Sequence, residues 1–159
     1  CCWLMTEKEQ HINGWITKLT ESRPELGGHA VCPYASAAKT LIKETPIDSI
    51  VPESGYDVIV FVVEDFWRYK QMQKWVRYYN EKYPYYKFFE DTSNIDTFIR
   101  GVQTNNEKYN LILCQSKAKL RTFRKKLAET GYYDYWTDDY LDEVLGEDRE
   151  ELKLDERPG

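Results

Sequence analysis

The chain has 159 residues and a formal net charge of -5 at pH 7, and 42% of its residues are hydrophobic against 31% charged. This balance is typical of a globular protein, and it excludes a disordered chain. No stretch approaches the roughly 18 apolar residues that a membrane span requires. We therefore expect a single α/β domain over residues 1–146 and an acidic tail over residues 147–159 that is frayed.

The beginning of the chain and its cysteines indicate the compartment. The sequence TEKEQ after Met5 is typical of a translation start, so Cys1 and Cys2 are set aside as residues upstream of it. The chain shows no basic segment followed by an apolar run, which a secretory signal would have. Cys32 and Cys114 are too few for a disulfide framework. These features predict a cytoplasmic protein.

Charge is unevenly distributed along the chain. Residues 134–159 contain eleven acidic and three basic residues, whereas residues 1–133 contain sixteen acidic and nineteen basic residues. The simpler interpretation is a solvated tail that improves solubility. The alternative is that the acidic tail shields a basic surface of the same protein.

Two helices are predicted near the N-terminus. Thr6 and Glu9 have the spacing of a capping box, and apolar residues at helical spacing then predict a helix to about residue 20. A second helix is predicted from Pro33, a residue favoured at the first helical position, to the residue before Pro46. Its inward-facing residues would be Ala38, Leu41 and Ile42.

The central segments alternate between strand and helix patterns. Residues 56–64 are apolar on both faces, which predicts a central strand covered on both sides. A helix over 65–83, a strand over 85–90, a short helix over 95–102 and a strand over 110–116 are predicted next. Ser116 would cap a basic helix that ends at Gly131. Residues 132–136 would form an edge strand or an aromatic plug, and residues 138–146 a last helix.

This order of elements favours a ferredoxin-like split βαβ sandwich with two extra N-terminal helices. In that fold two helices cover one face of a mostly antiparallel sheet. The alternative is a thioredoxin-like or other three-layer arrangement, in which the N-terminal helices cover the opposite face.

Cys32 is the first candidate for chemistry. At the start of a helix, its sulfur would lie beside unpaired backbone N–H groups, an environment that favours the thiolate. His29 would act as its base or as a second metal ligand, although no full metal-ligand set stands at characteristic spacing. The alternative is a capped helix start with an inward-packed sulfur, since free cysteines are often buried. Gly28, Pro33 and Tyr34 would complete a binding loop.

The segment CPYASAAKTLI, which starts at Cys32, resembles the active-site turn and first helix of glutaredoxins, where CPYC precedes a helix containing Ala-Lys. The resemblance implies redox chemistry of the thiol. This sequence has Ala35 where glutaredoxins have the resolving cysteine, so the two-cysteine disulfide cycle is not expected.

Three longer segments, LGGHAVCPYA, TFIRGVQTNNEKYNLILCQ and GYYDYW, resemble a family of proteins from marine phages and bacteria with a Cys-Pro-Phe/Tyr-Ala signature. The resemblance covers most of the chain. It implies a small intracellular protein and assigns no catalytic residue.

The segment GVQTNN, residues 101–106, is a second candidate. The amides of Gln103, Asn105 and Asn106 suit recognition of a ligand, and they equally suit a turn, which is the favoured interpretation. If this loop meets the loop before Pro33, the two would form a pocket.

The third candidate is the basic helix, which would attract phosphates. A solvated helix face is the simpler interpretation. Its cations are Lys117, Lys119, Arg121, Arg124, Lys125 and Lys126.

The leading hypothesis is therefore a small protein with a thiol-centred site at Cys32, supported by His29, for redox, metal or small-molecule chemistry. The alternative is a non-catalytic module that binds protein or nucleic acid through its tyrosines and residues 117–126. The sequence identifies no cofactor and leaves open whether the protein is an enzyme. A small molecule or another protein is the expected partner, nucleic acid is less favoured, and no membrane contact is expected.

Overall fold

The computed structural model describes residues 6–26, 28–30, 32–93, 95–96, 98–99, 102–146 and 149. The residues before Thr6 and, except for Arg149, those after Gly146 lie outside these ranges. Our expectations for the start of the chain and for its tail concern those residues. Gly27 and Gly101 also lie outside these ranges.

The described residues form a mixture of helices and strands. The α-helices are α1 (Glu7–Leu19), α2 (Tyr34–Ala37), α3 (Tyr69–Lys82), α4 (Lys117–Glu129) and α5 (Asp138–Leu145). Short 3-10 helices span Pro24–Leu26, Ile47–Ser49 and Tyr132–Tyr135. The strands are β1 (Thr40–Glu44), β2 (Val58–Val62), β3 (Tyr86–Asp91), β4 (Phe98–Ile99), β5 (Val102–Gln103) and β6 (Leu111–Ser116).

Four strands form one mixed sheet in the order β1-β2-β6-β3. β1 runs parallel to β2, whereas β6 runs antiparallel to both of its neighbours. β2 and β3 are therefore parallel to each other with β6 between them, and α3 connects them. β4 and β5 form a separate antiparallel pair.

β2 is buried along its whole length, as its sequence predicts. Successive side chains on a strand point to opposite faces, so β2 supplies two hydrophobic clusters. One cluster contains Phe61 of β2 and Met72 of α3, together with residues of the 3-10 helix Ile47–Ser49. The other contains Val60 of β2, Ile12 of α1 and Leu120 of α4.

Helices thus cover both faces of the sheet, α3 on one and α1 with α4 on the other. The ferredoxin-like expectation of two helices on one face is not confirmed, because α3 and α4 lie on opposite faces. The strand beside β2 is also unexpected, since it precedes β2 in the chain and runs parallel to it. The layering on both faces agrees with the three-layer alternative, whose thioredoxin-like details are not confirmed.

Two predicted helices are wrong. The helix predicted from Pro33 to the residue before Pro46 is only the single turn of α2, followed by β1, because Leu41 and Ile42 pair with β2 instead of continuing the turn. Their apolar spacing fits a strand as well as a helix over so short a window. The helix predicted over residues 95–102 is replaced by β4 and the start of β5.

The starts of α1 and α4 and the end of α4, which capping residues predicted, are confirmed. The Thr6 hydroxyl accepts the Glu9 backbone N–H at 3.1 Å, and Ser116 caps α4. Gly131 follows α4 with a φ of +78°, a left-handed conformation that glycine adopts at low cost. Residues 132–135 form a 3-10 helix, so the edge-strand alternative is wrong.

Candidate functional site

Cys32 lies in the loop before α2. Its backbone N–H donates to the Leu19 carbonyl at 2.9 Å, and its carbonyl accepts the Ala35 N–H at 3.1 Å. Its side chain packs against the hydrophobic cluster between the sheet, α1 and α4. Pro33 is the N-cap of α2, so Cys32 stands one residue before the cap instead of occupying it.

The environment of Cys32 opposes the expected thiolate. Burial raises the pKa of the Cys32 thiol, and the smaller opposing effects of the Ala35 and Tyr34 amides and of Arg124 do not reverse the direction. A four-residue helix sums few peptide dipoles, so the positive end that our sequence argument invoked is weak. Cys32 is therefore a neutral thiol at neutral pH.

His29 does not pair with Cys32. Its ring lies edge-on to the Tyr132 ring with 5.6 Å between centroids. Among the hydrogen bonds of the described residues, none joins His29 to Cys32. In the described part of the chain, His29 is therefore not hydrogen-bonded to the Cys32 thiol as the expected base or second metal ligand would be.

Gly28 has a structural position beside His29. Its φ is +85°, and its N–H donates to the Arg23 carbonyl at 2.9 Å. Ser22 donates its hydroxyl to the Gly28 carbonyl. These contacts close a turn before α2, so Gly28 shapes this loop.

A groove of about 390 Å³ opens on the face of the sheet that carries α1 and α4. Cys32, Pro33 and Tyr34 line one part of it, and Thr104 and Asn105 line another. The two loops that the sequence analysis considered as partners therefore line the same groove.

The walls of the groove are mostly apolar and aromatic. Phe89 and Leu113, partners across the β3–β6 ladder, both line it. Phe98 of β4 stands at its rim with 56% of its surface exposed. The other large apolar or aromatic wall residues, besides Tyr34, are Trp15, Leu19, Tyr69, Ile95, Leu120, Phe123, Leu127, Tyr132, Tyr133, Trp136 and Val144.

Asp91 is the most perturbed carboxyl group in the groove. Burial raises its pKa to about 6, while hydrogen bonds from Asn106 oppose that change. The backbone N–H and the side-chain amide of Asn106 both donate to Asp91 Oδ1, at 3.1 and 2.6 Å. Asp91 therefore titrates close to neutral pH inside an apolar groove.

Tyr34 presents a buried hydroxyl. The residue is 7% exposed, its ring packs on Phe123 with 4.9 Å between centroids, and its hydroxyl has no hydrogen-bond partner among the described residues. Burial raises the Tyr34 pKa to about 12, and the charge of Asp57 acts in the same direction. The hydroxyl is thus a proton donor at all physiological pH values.

The amides of the predicted loop bond within the protein. Gln103 Nε2 donates to Asp96, Asn105 and Glu107, the last at 2.7 Å. Asn106 Oδ1 accepts two backbone N–H groups of its own turn. The turn interpretation is confirmed for Asn106, and of the three amide residues Asn105 alone is part of the groove lining.

The basic helix α4 is partly neutralised and partly buried. Lys119 Nζ lies 2.5 Å from Asp57 Oδ1, and this hydrogen bond is the main reason that the Asp57 pKa is lowered. Arg124, which our sequence analysis counted as a surface cation, is buried and donates to the Val144 carbonyl at 3.3 Å. It lines the groove instead of the solvent-facing side.

Three groove residues were not predicted from the sequence: Phe89, Asp91 and Arg124. Phe89 and Asp91 stand two apart on a strand and therefore face the same side, a signal that was available. Arg124 follows the apolar residue Phe123 on α4, and its burial depends on α5, whose packing the local pattern does not show.

Within the described residues, no three His, Cys, Asp or Glu side chains are grouped so that they could hold a metal ion. The helices described here are also all too short or too polar to cross a bilayer. No family model, curated protein or solved structure matches the chain.

Proposed function

We propose that the protein binds a small, largely aromatic molecule in the groove between α1, α4 and the sheet. The observation that carries this proposal is the groove itself, a space of about 390 Å³ with mostly apolar walls and the half-buried carboxyl group of Asp91. Small-molecule sites typically have about 300–1,000 Å³, apolar walls and a few polar groups that orient the ligand.

The polar groups specify the ligand further. Asp91, ionised above pH 6, favours a ligand that donates a hydrogen bond or carries a positive charge. The rings of Trp15 and Phe98 both line the groove and provide apolar contact surface. The ligand class is therefore a flat apolar ring system with an N–H or ammonium group at one end.

Cys32 serves in this proposal as part of the wall. A neutral, desolvated thiol is a poor nucleophile, so the redox, metal and covalent alternatives lose the feature that motivated them. From the thiol hypothesis we therefore retain the binding of a small molecule near Cys32, and we do not retain catalysis by the thiol.

Fluorescence titration with N-phenyl-1-naphthylamine tests the proposal, because this neutral probe has two aromatic rings and one N–H donor. Its sulfonated analogue, 1-anilinonaphthalene-8-sulfonate, adds a negative charge that ionised Asp91 repels and Arg124 attracts, so Asp91→Asn should raise the affinity for the sulfonate more than that for the neutral probe. Blue-shifted emission with saturable binding of the neutral probe is the expected result. Absence of binding by the neutral probe, or a sulfonate affinity that Asp91→Asn leaves unchanged, would overturn the proposal.

Two tryptophan variants, one inside the groove and one outside it, provide a matched control. Leu113→Trp places a large ring on the groove lining and should abolish probe binding, whereas Val51→Trp adds the same ring at a residue that is exposed and outside the groove. Thermal melts show whether each variant is folded. Equal probe affinity in a folded Leu113→Trp protein would contradict the assignment of the groove.

A further inference from the structure

One end of the main sheet carries exposed tyrosines beside lysines. Tyr86 at the start of β3 pairs with Ser116 at the end of β6, and the Lys117 N–H donates to the Tyr85 carbonyl at 3.0 Å. β2 also starts at this end, because it runs antiparallel to β6. The start of α4 and the residues after α3 therefore meet at one corner of the molecule.

The rings at this corner are accessible. Tyr85 is 83% exposed and Tyr78, on the last turns of α3, is 47% exposed. Lys82 Nζ lies 5.6 Å from the centroid of the Tyr78 ring and 5.4 Å from that of Tyr83. These are distances at which a cation is attracted to a ring face. Exposed rings that are grouped at one corner beside ammonium groups are typical of an interaction surface.

The same edge extends to the starts of β1 and β2. Lys39 Nζ lies 5.1 Å from the centroid of the Tyr56 ring. We define the basic tyrosine edge by six residues: Lys39, Tyr56, Tyr78, Lys82, Tyr85 and Lys117.

Charge at the basic tyrosine edge is positive on balance. The carboxyl groups nearest to it in the chain are Asp57, already bridged by Lys119, and exposed Glu81. Residues 1–133 carry nineteen basic against sixteen acidic residues, so the net negative charge of the chain arises after residue 133. A polyanion is thus the complementary partner for this edge.

We infer that the basic tyrosine edge binds single-stranded nucleic acid. Unpaired bases stack on exposed aromatic rings, and phosphates are neutralised by nearby lysines. A duplex hides its bases, and an acidic protein surface offers no flat faces for Tyr78 and Tyr85. This surface is separate from the groove, so the outcome of its test does not depend on the small-molecule proposal.

Fluorescence anisotropy with labelled twenty-nucleotide oligo(dT) tests the inference at increasing salt. Binding should weaken as salt rises, and Lys82→Gln with Lys117→Gln should flatten the log–log slope by about 1.4, since each phosphate neutralised on a single strand contributes about 0.7. Lys43→Gln is the matched control, because Lys43 of β1 pairs with Glu53 and lies outside the edge.

Ring removal tests stacking separately from charge. Tyr85→Ala should weaken oligo(dT) binding about ten-fold, and Tyr85→Phe should retain it, because stacking needs the ring and not the hydroxyl. Phe66→Ala, at another exposed ring, should leave binding unchanged. Failure to bind oligo(dT) at low salt, equal affinity for a duplex, or equal affinity for poly-glutamate would each overturn the inference.

Discussion

The side-chain amide of Asn106 donates a hydrogen bond of 2.6 Å to the carboxyl of Asp91, and so joins the loop before β6 to the end of β3. The carbonyl oxygen of the same amide accepts the backbone N–H groups of Lys108 and Tyr109, at 3.1 and 2.7 Å. One buried side chain thus closes a turn and fixes the carboxyl group of the groove.

Asn106→Ala should lower the free energy of unfolding by about 3 kcal/mol, because it leaves two backbone N–H groups and the Asp91 carboxyl without their partner. Urea denaturation measures the change. Gln103→Ala is the control, since its bonds to Asp96 and Glu107 are exposed and its loss should cost less than about 1 kcal/mol. Equal losses in the two variants would contradict the structural role of Asn106.

Asp91 predicts an unusual pH dependence of stability. Its pKa is about 6 in the folded protein and about 4 in an unfolded chain, so folding favours the protonated form. Its contribution to stability is therefore present in full below pH 4 and is lost as pH rises through 6.

Asp91→Asn isolates this contribution, because the amide keeps an oxygen that can accept from Asn106. At pH 7.5 the variant should be more stable than the parent, by up to about 3 kcal/mol for a shift of about two pKa units. The difference should shrink as pH falls from 7 to 4. Denaturation of both proteins across this range measures it, and a difference that stays constant with pH would show that Asp91 titrates normally.

Cys32 should react slowly with iodoacetamide at pH 7.5, because burial raises its pKa and the thiolate is the reacting species. Burial raises the Cys114 pKa to about 12, so Cys114 should be protected until the protein unfolds. Peptide mapping by mass spectrometry distinguishes each cysteine from the others. Labelling of Cys32 faster than a free thiol would restore the redox hypothesis.

Tyr79 should matter to stability through its hydroxyl, which donates to the Ile47 carbonyl at 2.6 Å and accepts the Ile50 N–H at 3.2 Å. Tyr79→Phe should cost about 1–3 kcal/mol, because both backbone groups lose a buried partner. Tyr78→Phe, one residue earlier and half exposed, should cost almost nothing. Thermal or urea unfolding of the two variants measures both changes in stability, and equal losses would contradict the role of the Tyr79 hydroxyl.

The elements with strong local signals could be predicted from the sequence. β2 has apolar residues on both faces, and Ser116 and Gly131 bracket α4, so these features depend on nearby residues alone. β1 could not be predicted in the same way, since its backbone is set by pairing with residues 58–62 and not by its own short pattern.

The candidate site was partly predictable for the same reason. From the sequence, the loop before Pro33 and the loop of residues 101–106 were expected to form a pocket if they met. In the structure, Cys32 and Asn105 of these loops line the same groove. The state of the thiol was not predictable, because it depends on how deeply Trp15, Tyr34 and their neighbours bury the sulfur. The resemblance to phage and bacterial proteins stays a prediction.

The N-terminal helix is held by partners that are synthesised much later. His11 Nε2 donates to the Asn106 carbonyl and Trp15 Nε1 to the Thr104 carbonyl, each at 2.9 Å, across sequence separations of 95 and 89 residues. On the ribosome, these two hydrogen bonds of α1 therefore cannot form until the chain up to Asn106 has emerged. Docking of α1 and completion of the groove are then a single late event in the folding of the chain.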